Sequence, residues 1–414
     1  MVPHYTNQII YVVARHQRTL NQRVRMVLSL KESSLNMVLV TKTGHQTDEG
    51  NIVTGSYPNP LGVLRLMRMH RIKKALEKQL YFPSEDILFV KAAKRRLEKE
   101  IRGCVSSRKR VCLLTCLPPH DISLIGLHLK SRIPELYWVV DWQDLWSYDE
   151  YYFDRVPERF KSRILEIEKR VFQMSDLNVT TNTTAKEILE SHYKVPAERV
   201  VAISHPFHRS DLDPQKMNSE ISCNLMAKKP IDIGFLGRIF KPPKVPGLEI
   251  FQVIQDLIKS GLSIKLHVFG EDSKSAIKAI AESGSEAIFL HPLTSHKQSL
   301  LNISGCDFFL LVMSDLPNCH AIMPIKLPHY LMLGRPILAI VPENSAVAKI
   351  IRETGSGYVI PVSSNWAEEL KRILVDHING RKRPIRNIQA IEKYSWENIS
   401  KKWLDLFRAD SIDS

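Results

Sequence analysis

The fold is decided by residues 315–340, DLPNCHAIMPIKLPHYLMLGRPILAI, which pass from a loop into a helix and then into a buried strand. The pattern predicts a helix over residues 325–333, a turn at Gly334 and a strand over residues 336–341. Before it, the run CDFFLLVMS from Cys306 is continuously apolar, as is typical of a parallel strand covered on both faces. A strand that leads through a loop into a helix N-terminus presents backbone N–H groups and a positive dipole end, which suits a phosphate.

The composition is that of a globular protein with two domains. The chain has 414 residues, of which 44% are hydrophobic and 25% are charged, so it can build two ordinary cores. No apolar run approaches the roughly 20 residues of a transmembrane helix, and the first residues lack the pattern of a signal peptide. The six cysteines form no CxxC pair and no cluster with histidine, so we expect reduced thiols in a cytoplasmic protein and no metal site.

The net charge of +14 is concentrated in one segment. Residues 61–110 contain 15 Lys or Arg and 5 Asp or Glu, which gives this segment alone +10. Within it, residues 61–82 combine apolar and basic side chains at helical spacing, as in helices that lie on anionic membranes. An ordinary surface helix packed on its own domain is the alternative. The segment lacks the interleaved aromatic residues or motif of a nucleic-acid binder.

The N-terminal half begins as a doubly wound sheet does. Apolar, β-branched runs at residues 9–14 and 37–41 flank a stretch with helical spacing, which predicts a first βαβ unit. The loop after the first strand, RHQRTLNQ, lacks the GxGxxG pattern of a dinucleotide-binding fold, and this disfavours a dehydrogenase.

Polar side chains follow two consecutive predicted strands of this half. The strand VCLLTC leads into LPPHD with His120, and the strand YWVVD, which ends in Asp141, leads into WQDLW with Asp144. Ligands of doubly wound sheets bind at the carboxyl ends of strands, so these side chains are candidate site residues. Two alternatives stay open: Asp144 can cap a helix, and His120 can be a structural residue of a first turn.

In the C-terminal half, the strand IDIGFL runs into Gly237 and Arg238, and a loop with Lys241 and Lys244 follows. The next predicted strand ends at Gly270. Fixed cations at a strand end are the groups that hold a diphosphate, because they offer charge-assisted hydrogen bonds to its oxygens.

These stretches resemble family four of the GT-B glycosyltransferases. The family's run "GKLFEYLAAGKPILA…E…A..I.ETGAG" is matched by Lys326, Leu327, Tyr330, Leu331, Gly334, Pro336, Ile337, Leu338, Glu353, Thr354, Gly355 and Gly357. One branch of the family has "SSPPHSLHLIA" and "DFRDPW", which are matched by Pro118, Pro119, His120, Leu127, Lys130, Asp141, Asp144 and Trp146. The closing "FSWE" helix is similar to the segment YSWE that begins at Tyr394.

The resemblance implies an α/β protein with two doubly wound, Rossmann-like domains facing a central cleft. The expected acceptor-side domain spans residues 1–208, a linker spans 209–229, and the nucleotide-sugar domain spans 230–394. Residues 395–414 are expected to be a helix that crosses back to the first domain, with a tail.

The resemblance also implies an activity: transfer of a sugar from a UDP- or GDP-sugar to an acceptor, with retention at the anomeric carbon and without a metal or other cofactor. His120, Asp144, Arg238 and Lys244 are the expected catalytic residues, with Lys241 as the alternative lysine. The expected substrate-binding residues are Asp141, Gly237, Lys241, Gly270, Ile322, Met323, Ile325, Lys326 and His329, those of the loop 321–325 through their backbone N–H groups. A glycan or glycolipid acceptor on the inner face of the plasma membrane fits the basic segment, as in cell-envelope polysaccharide synthesis.

One departure from the family is central. The family carries two glutamates eight positions apart, one contacting the transferred sugar and the other the ribose, and here Ala321 and His329 stand in their places. His329 can still hydrogen-bond a ribose, whereas Ala321 offers no side-chain contact. The alternative to an active transferase is therefore a catalytically silent protein that binds a nucleotide or another transferase. A sugar-nucleotide epimerase on the same fold is the runner-up enzyme class, but it needs acidic residues for proton transfer, so the losses at Ala321 and His329 do not favour it.

Overall fold

The computed structural model describes residues 8–15, 22–43, 51–84, 86–148, 153, 156–211, 230–237, 247–270, 277, 286–381 and 383–408. The chain divides into two compact units. We call Met1–His205 with Ile399–Ser414 the N-terminal unit, and Pro206–Asn398 the C-terminal unit. Each is built around one parallel sheet with helices, so the prediction of an α/β protein with two doubly wound sheets is confirmed.

The N-terminal unit has a seven-stranded sheet in the order β3-β2-β1-β4-β5-β6-β7, and every pairing is parallel. Its strands are β1 (Gln8–Val13), β2 (Met37–Thr41), β3 (Ile52–Val53), β4 (Arg110–Leu117), β5 (Tyr137–Trp142), β6 (Leu177–Thr180) and β7 (Val200–Ala202). The central strands are buried on both faces, as their continuous apolar sequence predicts. The short strand β3 lies within residues 43–60, where the many Gly, Asn, Asp and Pro residues of the sequence predict a long loop.

The helices of this unit are α1 (Gln22–Ser29), α2 (Val63–Leu66), α3 (His70–Leu80), α4 (Ile87–Ser106), α5 (Ser123–Arg132), α6 (Glu158–Met174) and α7 (Thr183–Ser191). The amphipathic helix expected over residues 61–82 is divided into α2 and α3. Between them Arg68 adopts a left-handed conformation with φ of 57°, which a continuing helix does not allow.

The C-terminal unit has a six-stranded sheet in the order β10-β9-β8-β11-β12-β13, again with parallel pairings only. Its strands are β8 (Ile231–Leu236), β9 (Ile264–Phe269), β10 (Ile288–His291), β11 (Phe308–Val312), β12 (Ile337–Val341) and β13 (Gly357–Pro361). The helices are α8 (Gly247–Lys259), α9 (His296–Ser304), α10 (Lys326–Leu333), α11 (Ala346–Thr354), α12 (Trp366–Ile378) and α13 (Ile388–Glu392), and α14 (Trp396–Arg408) begins here.

The stretch that decides the fold forms as the sequence predicts. Helix α10 ends at Gly334, whose φ of 84° is the left-handed C-cap conformation that glycine adopts without strain. A Cβ built at Gly334 would lie 2.5 Å from an Arg386 guanidinium nitrogen, so space as well as conformation requires glycine. Strand β12 follows directly and is buried along its whole length.

Helix α14 continues from residue 399 as part of the N-terminal unit. There its Trp403 and Phe407 are buried, and the Trp403 ring lies 5.1 Å from the guanidinium carbon of Arg23 in α1. No helix in the described ranges is both long enough and apolar enough to cross a membrane.

Candidate functional site

The strand order of each sheet marks where a ligand is expected. In the C-terminal unit β8 and β11 are neighbours. The strands that follow β8 in the chain, β9 and β10, lie on one side of this pair, and those that follow β11, β12 and β13, lie on the other. The N-terminal unit has the same reversal between β1 and β4. In open α/β sheets, ligands bind beyond the carboxyl ends of the strands at this reversal. Ligands are therefore expected beside the residues that follow β8 and β11 in the C-terminal unit and β4 in the N-terminal unit.

Two of the predicted donor-binding glycines lie side by side after β8 and β9. Gly237 has φ of 96° and donates its N–H to Phe269 O at 2.7 Å, and Gly270 has φ of 89° and donates to His291 O at 3.0 Å. A Cβ built at Gly270 would lie 3.9 Å from the Gly237 backbone. The positive φ values favour glycine at both turns, and the lack of side chains leaves backbone that a ligand can approach closely.

Helix α10 fastens the end of β8. The Lys326 ammonium donates to Leu236 O at 3.0 Å and lies 3.5 Å from the centroid of the Phe235 ring. One turn later, the Tyr330 hydroxyl accepts the Leu236 N–H at 2.9 Å and donates to Leu310 O at 3.3 Å. Because Tyr330 is fully buried, desolvation raises its pKa far above the usual value for a phenol, and the hydroxyl stays protonated as this donation requires. The helix thus holds the end of β8 and the middle of β11 in a fixed relation.

The loop before α10 is more closed than the sequence suggests. Residues Pro317–Ala321 form a 3-10 turn, and the Ile322 N–H donates to Cys319 O at 3.2 Å. Since that donor is used within the turn, a phosphate contact from Ile322 stays a prediction. Met323 is buried and Ile325 is 45% exposed, at the entry to the helix.

His329 is buried on α10 with a fixed tautomer. Its Nδ1 lies 3.0 Å from Ile325 O, and since a carbonyl only accepts, Nδ1 carries the proton and Nε2 has the free lone pair. Among the described residues Nε2 has no hydrogen-bond partner. Burial, helped by the nearby His296, lowers the pKa of His329 to about 4, so the ring is neutral at physiological pH.

The cations expected to hold the diphosphate, Arg238, Lys241 and Lys244, lie outside the described residues. Their roles stay predictions. The structure describes the chain before them up to Gly237, which directly follows β8, and the last residue of β8, Leu236, is in contact with α10.

In the N-terminal unit, the structure brings His120 and Asp144 together. The His120 ring is 1% exposed and stacks on Trp146, with centroids 5.4 Å apart and planes at 8°. Its Nε2 lies 3.1 Å from the backbone oxygen of Asp144, so this nitrogen donates. Burial lowers the pKa of His120 to about 4, which makes the ring neutral near pH 7. The contact between them runs through the Asp144 backbone, while that residue's side chain is part-exposed.

The neighbouring Asp121 also follows β4, as expected from its place in the LPPHD segment. It is 1% exposed, its Oδ2 accepts from the Ser84 hydroxyl at 2.8 Å, and its Oδ1 has no hydrogen-bond partner among the described residues. Burial raises the pKa of this carboxyl to about 7, and the nearby Asp86 acts in the same direction.

Asp141 has a structural partner. Arg23 donates to both of its carboxylate oxygens at 2.6–3.0 Å, and the two side chains are 0% and 1% exposed. Arg23 also donates to the backbone oxygens of Ile203 and Ser204. The pair therefore joins α1, β5 and the chain after β7, and a donor contact for Asp141 stays a prediction.

Sequence reasoning missed Glu168, which organises the loop after β5. It is fully buried, its Oε1 accepts the Ser147 N–H at 3.1 Å, and its Oε2 accepts from the Tyr193 hydroxyl at 3.0 Å. Burial raises its pKa. A signal was present, because this glutamate stands four residues after Ile164 and three before Val171 on the apolar stripe of α6.

Comparison with known proteins bears on the architecture. No protein-family model and no curated protein matches the sequence. Among solved structures, a glycosyltransferase from Rickettsia africae is similar at 13% identity, with a TM-score of 0.63 over 99% of this chain and 100% of that one. Anabaena HepE in complex with UDP-glucose is similar at 12% identity, with a TM-score of 0.63 over 96% of this chain and 99% of that one.

A candidate UDP-N-acetylglucosamine 2-epimerase from Listeria monocytogenes is similar at 12% identity, with a TM-score of 0.53 over 97% of each chain. Identities this low speak to the fold and not to the substrate. With its two parallel sheets and this full-length similarity, the chain has the GT-B fold of these glycosyltransferases.

Proposed function

We propose that this protein is a glycosyltransferase that uses a nucleotide-diphosphate sugar, UDP- or GDP-linked, as its donor. The observation that carries the proposal is the end of β8 in the C-terminal unit. There Gly237 leaves open backbone at the point where the strand order reverses, Gly270 does the same at the end of the neighbouring strand β9, and α10 holds the end of β8. HepE shares the fold at 12% identity, and its crystal structure is of a complex with UDP-glucose.

In this proposal the donor diphosphate lies against the chain that follows Gly237. Arg238 and Lys244, or Lys241 in its place, neutralise the charge that develops as the bond between the anomeric carbon and the diphosphate oxygen breaks. No metal ion is needed for that step. Gly270 lies beside the base, and Met323 and Ile325 bring backbone N–H groups to the phosphates. The acceptor oxygen forms its new bond to the anomeric carbon on the face that the diphosphate leaves, with retention, and the acceptor's proton passes to the leaving diphosphate oxygen.

His120 and Asp144 are assigned to the transferred sugar and acceptor. Neutral His120, whose Nε2–H donates to the Asp144 backbone, would accept a hydrogen bond from a hydroxyl through Nδ1 without placing a second charge in the site. We assign His329 to the ribose of the donor: a ribose hydroxyl would donate a hydrogen bond to its Nε2.

We propose that the acceptor is a lipid-linked glycan or glycolipid and that the protein reaches it by binding an anionic membrane surface on the cytoplasmic side. Helices α2 and α3 expose apolar side chains: Val63 at 59%, Met67 at 60%, Ile72 at 48% and Leu80 at 64%. Four exposed cations stand among them, Arg65, Arg68, Arg71 and Lys74, and residues 61–76 contain no acidic residue. Apolar side chains that insert and cations that meet anionic headgroups are the two components of interfacial binding.

A basic cavity on α4 supports the same assignment. It has a volume of about 890 Å³ and is lined by six cations against one carboxylate: Lys91, Lys94, Arg95, Lys99, Arg102 and Arg132, with Glu98. Burial and the neighbouring Lys91 lower the pKa of Lys94, so the site gains from a bound anion. A phosphate group is the chemistry this cavity fits.

The donor assignment is tested by calorimetry of the full chain against UDP, GDP and their common sugars. We expect one nucleotide series to bind, and the binding to fall at least about tenfold in Arg238→Ala, since each charge-assisted contact contributes about 1.5–3 kcal/mol. Arg372→Ala, an exposed arginine on α12, is the matched control and is expected to bind as wild type. If no nucleotide and no nucleotide sugar binds, the transferase proposal is wrong, and the alternative of a catalytically silent GT-B protein that binds another transferase takes its place.

The membrane assignment is tested by co-sedimentation with phosphatidylserine vesicles, with neutral vesicles and oligonucleotides as comparisons. We expect binding to the anionic vesicles alone, weakened by salt and by Arg65→Gln by about fivefold, since one cation near such a surface contributes about 1 kcal/mol. Met67→Ser is expected to weaken it too, whereas Ile378→Ser, an exposed apolar residue on α12, is not. Equal binding of anionic and neutral vesicles would contradict the assignment.

The epimerase remains the second candidate, because the Listeria monocytogenes protein shares the fold. It requires acid and base groups at the sugar, and the positions of the family's two glutamates are Ala321 and His329 here. Incubation with each bound nucleotide sugar in D₂O separates the two: an epimerase exchanges a proton on the sugar ring, and a transferase releases the nucleoside diphosphate.

A further inference from the structure

Asp211, His296 and His329 come together in the C-terminal unit from three separate elements. Asp211 ends the short 3-10 turn Arg209–Asp211, His296 begins α9, and His329 lies in the middle of α10. One potential ligand atom from each lies within 4.8 Å of the others. We propose that these three side chains bind a divalent transition metal ion, with zinc as the first candidate.

The arrangement of His329 is that of a metal ligand. Its Nδ1–H donates to Ile325 O at 3.0 Å, and metal-bound histidines characteristically donate their second ring nitrogen to a carbonyl or carboxylate in this way. The bond fixes the tautomer, so that Nε2 holds an unprotonated lone pair. That nitrogen is buried and has no hydrogen-bond partner among the described residues. A buried lone pair without a donor carries a free-energy cost, which a bound cation removes.

The other two side chains fit the same ion. His296 Nε2 and Asp211 Oδ2 are 3.5 Å apart, close to the roughly 3.3–3.5 Å that separates two ligands about 2.0–2.1 Å from a tetrahedral ion. The rings of His296 and His329 are nearly perpendicular, at 78°, with centroids 4.7 Å apart. Two imidazole nitrogens and one carboxylate oxygen suit zinc and its neighbours rather than magnesium or calcium, which prefer oxygen ligands. A water or a substrate atom would take the fourth position.

The three elements are held independently of any ion. Phe207, just before the turn, is buried in the core of this unit, and its N–H donates to Tyr394 O at 2.9 Å. Arg209 pairs with Glu392 of α13. The ion would therefore find ligands already in place and would join the first turn of this unit to α9 and α10.

This inference goes beyond the proposed function and competes with one part of it. The Nε2 lone pair of His329 is the same atom that was assigned to accept a ribose hydroxyl, and it cannot bind a metal ion and a ribose at once. The metal would not take part at the diphosphate, which is assigned to Arg238 and Lys244.

The test uses the full chain after treatment with a chelator, titrated with Co²⁺ and followed by the visible bands of tetrahedral cobalt. We expect one Co²⁺ per chain, displaced by Zn²⁺. Asp211→Asn and His296→Ala, both at part-exposed positions, are expected to weaken binding at least about tenfold, since even changes outside the ligand set cost that much. His329→Ala is expected to abolish it. His291→Ala, a nearby histidine outside the cluster, is the matched control.

Two results overturn the proposal: no bound Co²⁺ or Zn²⁺ in the wild type, or binding that the Asp211 and His296 variants leave unchanged. Circular dichroism of each variant shows that the fold is retained. UDP and GDP binding is measured with and without Zn²⁺ in parallel. Nucleotide binding without metal binding refutes the metal site and leaves the proposed transferase function standing. Metal binding without nucleotide binding supports the metal site and contradicts the proposed donor site.

Discussion

The buried pair of Arg23 and Asp141 gives the sharpest prediction, because it separates a structural role from a donor-binding role. Asp141→Asn keeps the shape of the side chain and removes its charge, so the Arg23 guanidinium, 0% exposed, loses its only carboxylate contact among the described residues. Breaking a buried pair from one side costs about 3–5 kcal/mol, since the remaining charge is left in a low-dielectric interior. The carbonyl oxygens of Ile203 and Ser204 and the face of Trp403 remain as partial compensation, which favours the lower end.

Urea unfolding followed by tryptophan fluorescence measures this loss. Four of the six tryptophans, Trp138, Trp142, Trp146 and Trp403, belong to the N-terminal unit, so the signal reports mainly on that unit. With an m-value of about 3 kcal/mol/M for a unit of this size, the midpoint is expected to fall by about 1–1.7 M. Asp315→Asn, at an exposed position, is the control and is expected to leave the midpoint unchanged.

A double variant checks the physical reason. Arg23→Met with Asp141→Leu removes both charges, and replacing a buried pair by apolar residues is often neutral, so we expect it to recover part of the loss. The reasoning is refuted if Asp141→Asn costs less than about 1 kcal/mol and instead abolishes nucleotide-sugar binding. Asp141 would then be a ligand of the donor rather than an anchor for α1.

Three further predictions concern single side chains. Asp121→Asn removes a carboxyl whose pKa burial raises to about 7. Folding favours its protonated form, so the contribution of this group to stability is fully present below about pH 4 and falls as the pH rises through 7, by up to about 4 kcal/mol. Urea midpoints at pH 5 and pH 8 are expected to show this fall in wild type and a smaller one in the variant. Tyr330→Phe leaves the Leu236 N–H and Leu310 O without their hydroxyl partner and is expected to cost about 1–3 kcal/mol, measured as a shift in urea midpoint; retention of full stability would contradict the role of α10. Gly126→Ala places a Cβ 1.9 Å from the Trp138 ring, and we expect about 1–3 kcal/mol of overpacking by the same measurement, with Gly103→Ala in open space as the control.

The sequence predicts the C-terminal sheet and α10 well because their signals are local. Glycine turns, apolar runs and helical spacing lie within a few residues of the element they define, and Gly334 ends α10 as expected. The division between α2 and α3 was missed, since it depends on the left-handed conformation of Arg68, which carries no residue-type signal.

The site is harder to predict, because its contacts join residues that are far apart in the chain. Arg23 and Asp141 are 118 positions apart, and Lys326 reaches Leu236 across 90. A charged residue on an apolar face, as Arg23 is on α1, indicates burial but does not name its partner. The approach of Asp211 to His296 and His329 could not be predicted either, since it requires the turn after Phe207 to pack on α9 and α10.

The surroundings of Ala321 and His329 explain how this chain differs from the family it resembles. Both positions are buried, at 6% and 2% exposure, so a carboxylate at either would need a cation or several donors to offset its desolvation. The nearest described cation on α10, Lys326, is already directed to the end of β8. A neutral imidazole avoids that cost and still offers the Nε2 lone pair, which can accept a hydrogen bond from a hydroxyl or bind a metal ion. We therefore expect changes at these two positions to alter which ligands bind here, whereas Lys326 and Tyr330, which bind to β8 and β11, preserve the fold around the two positions.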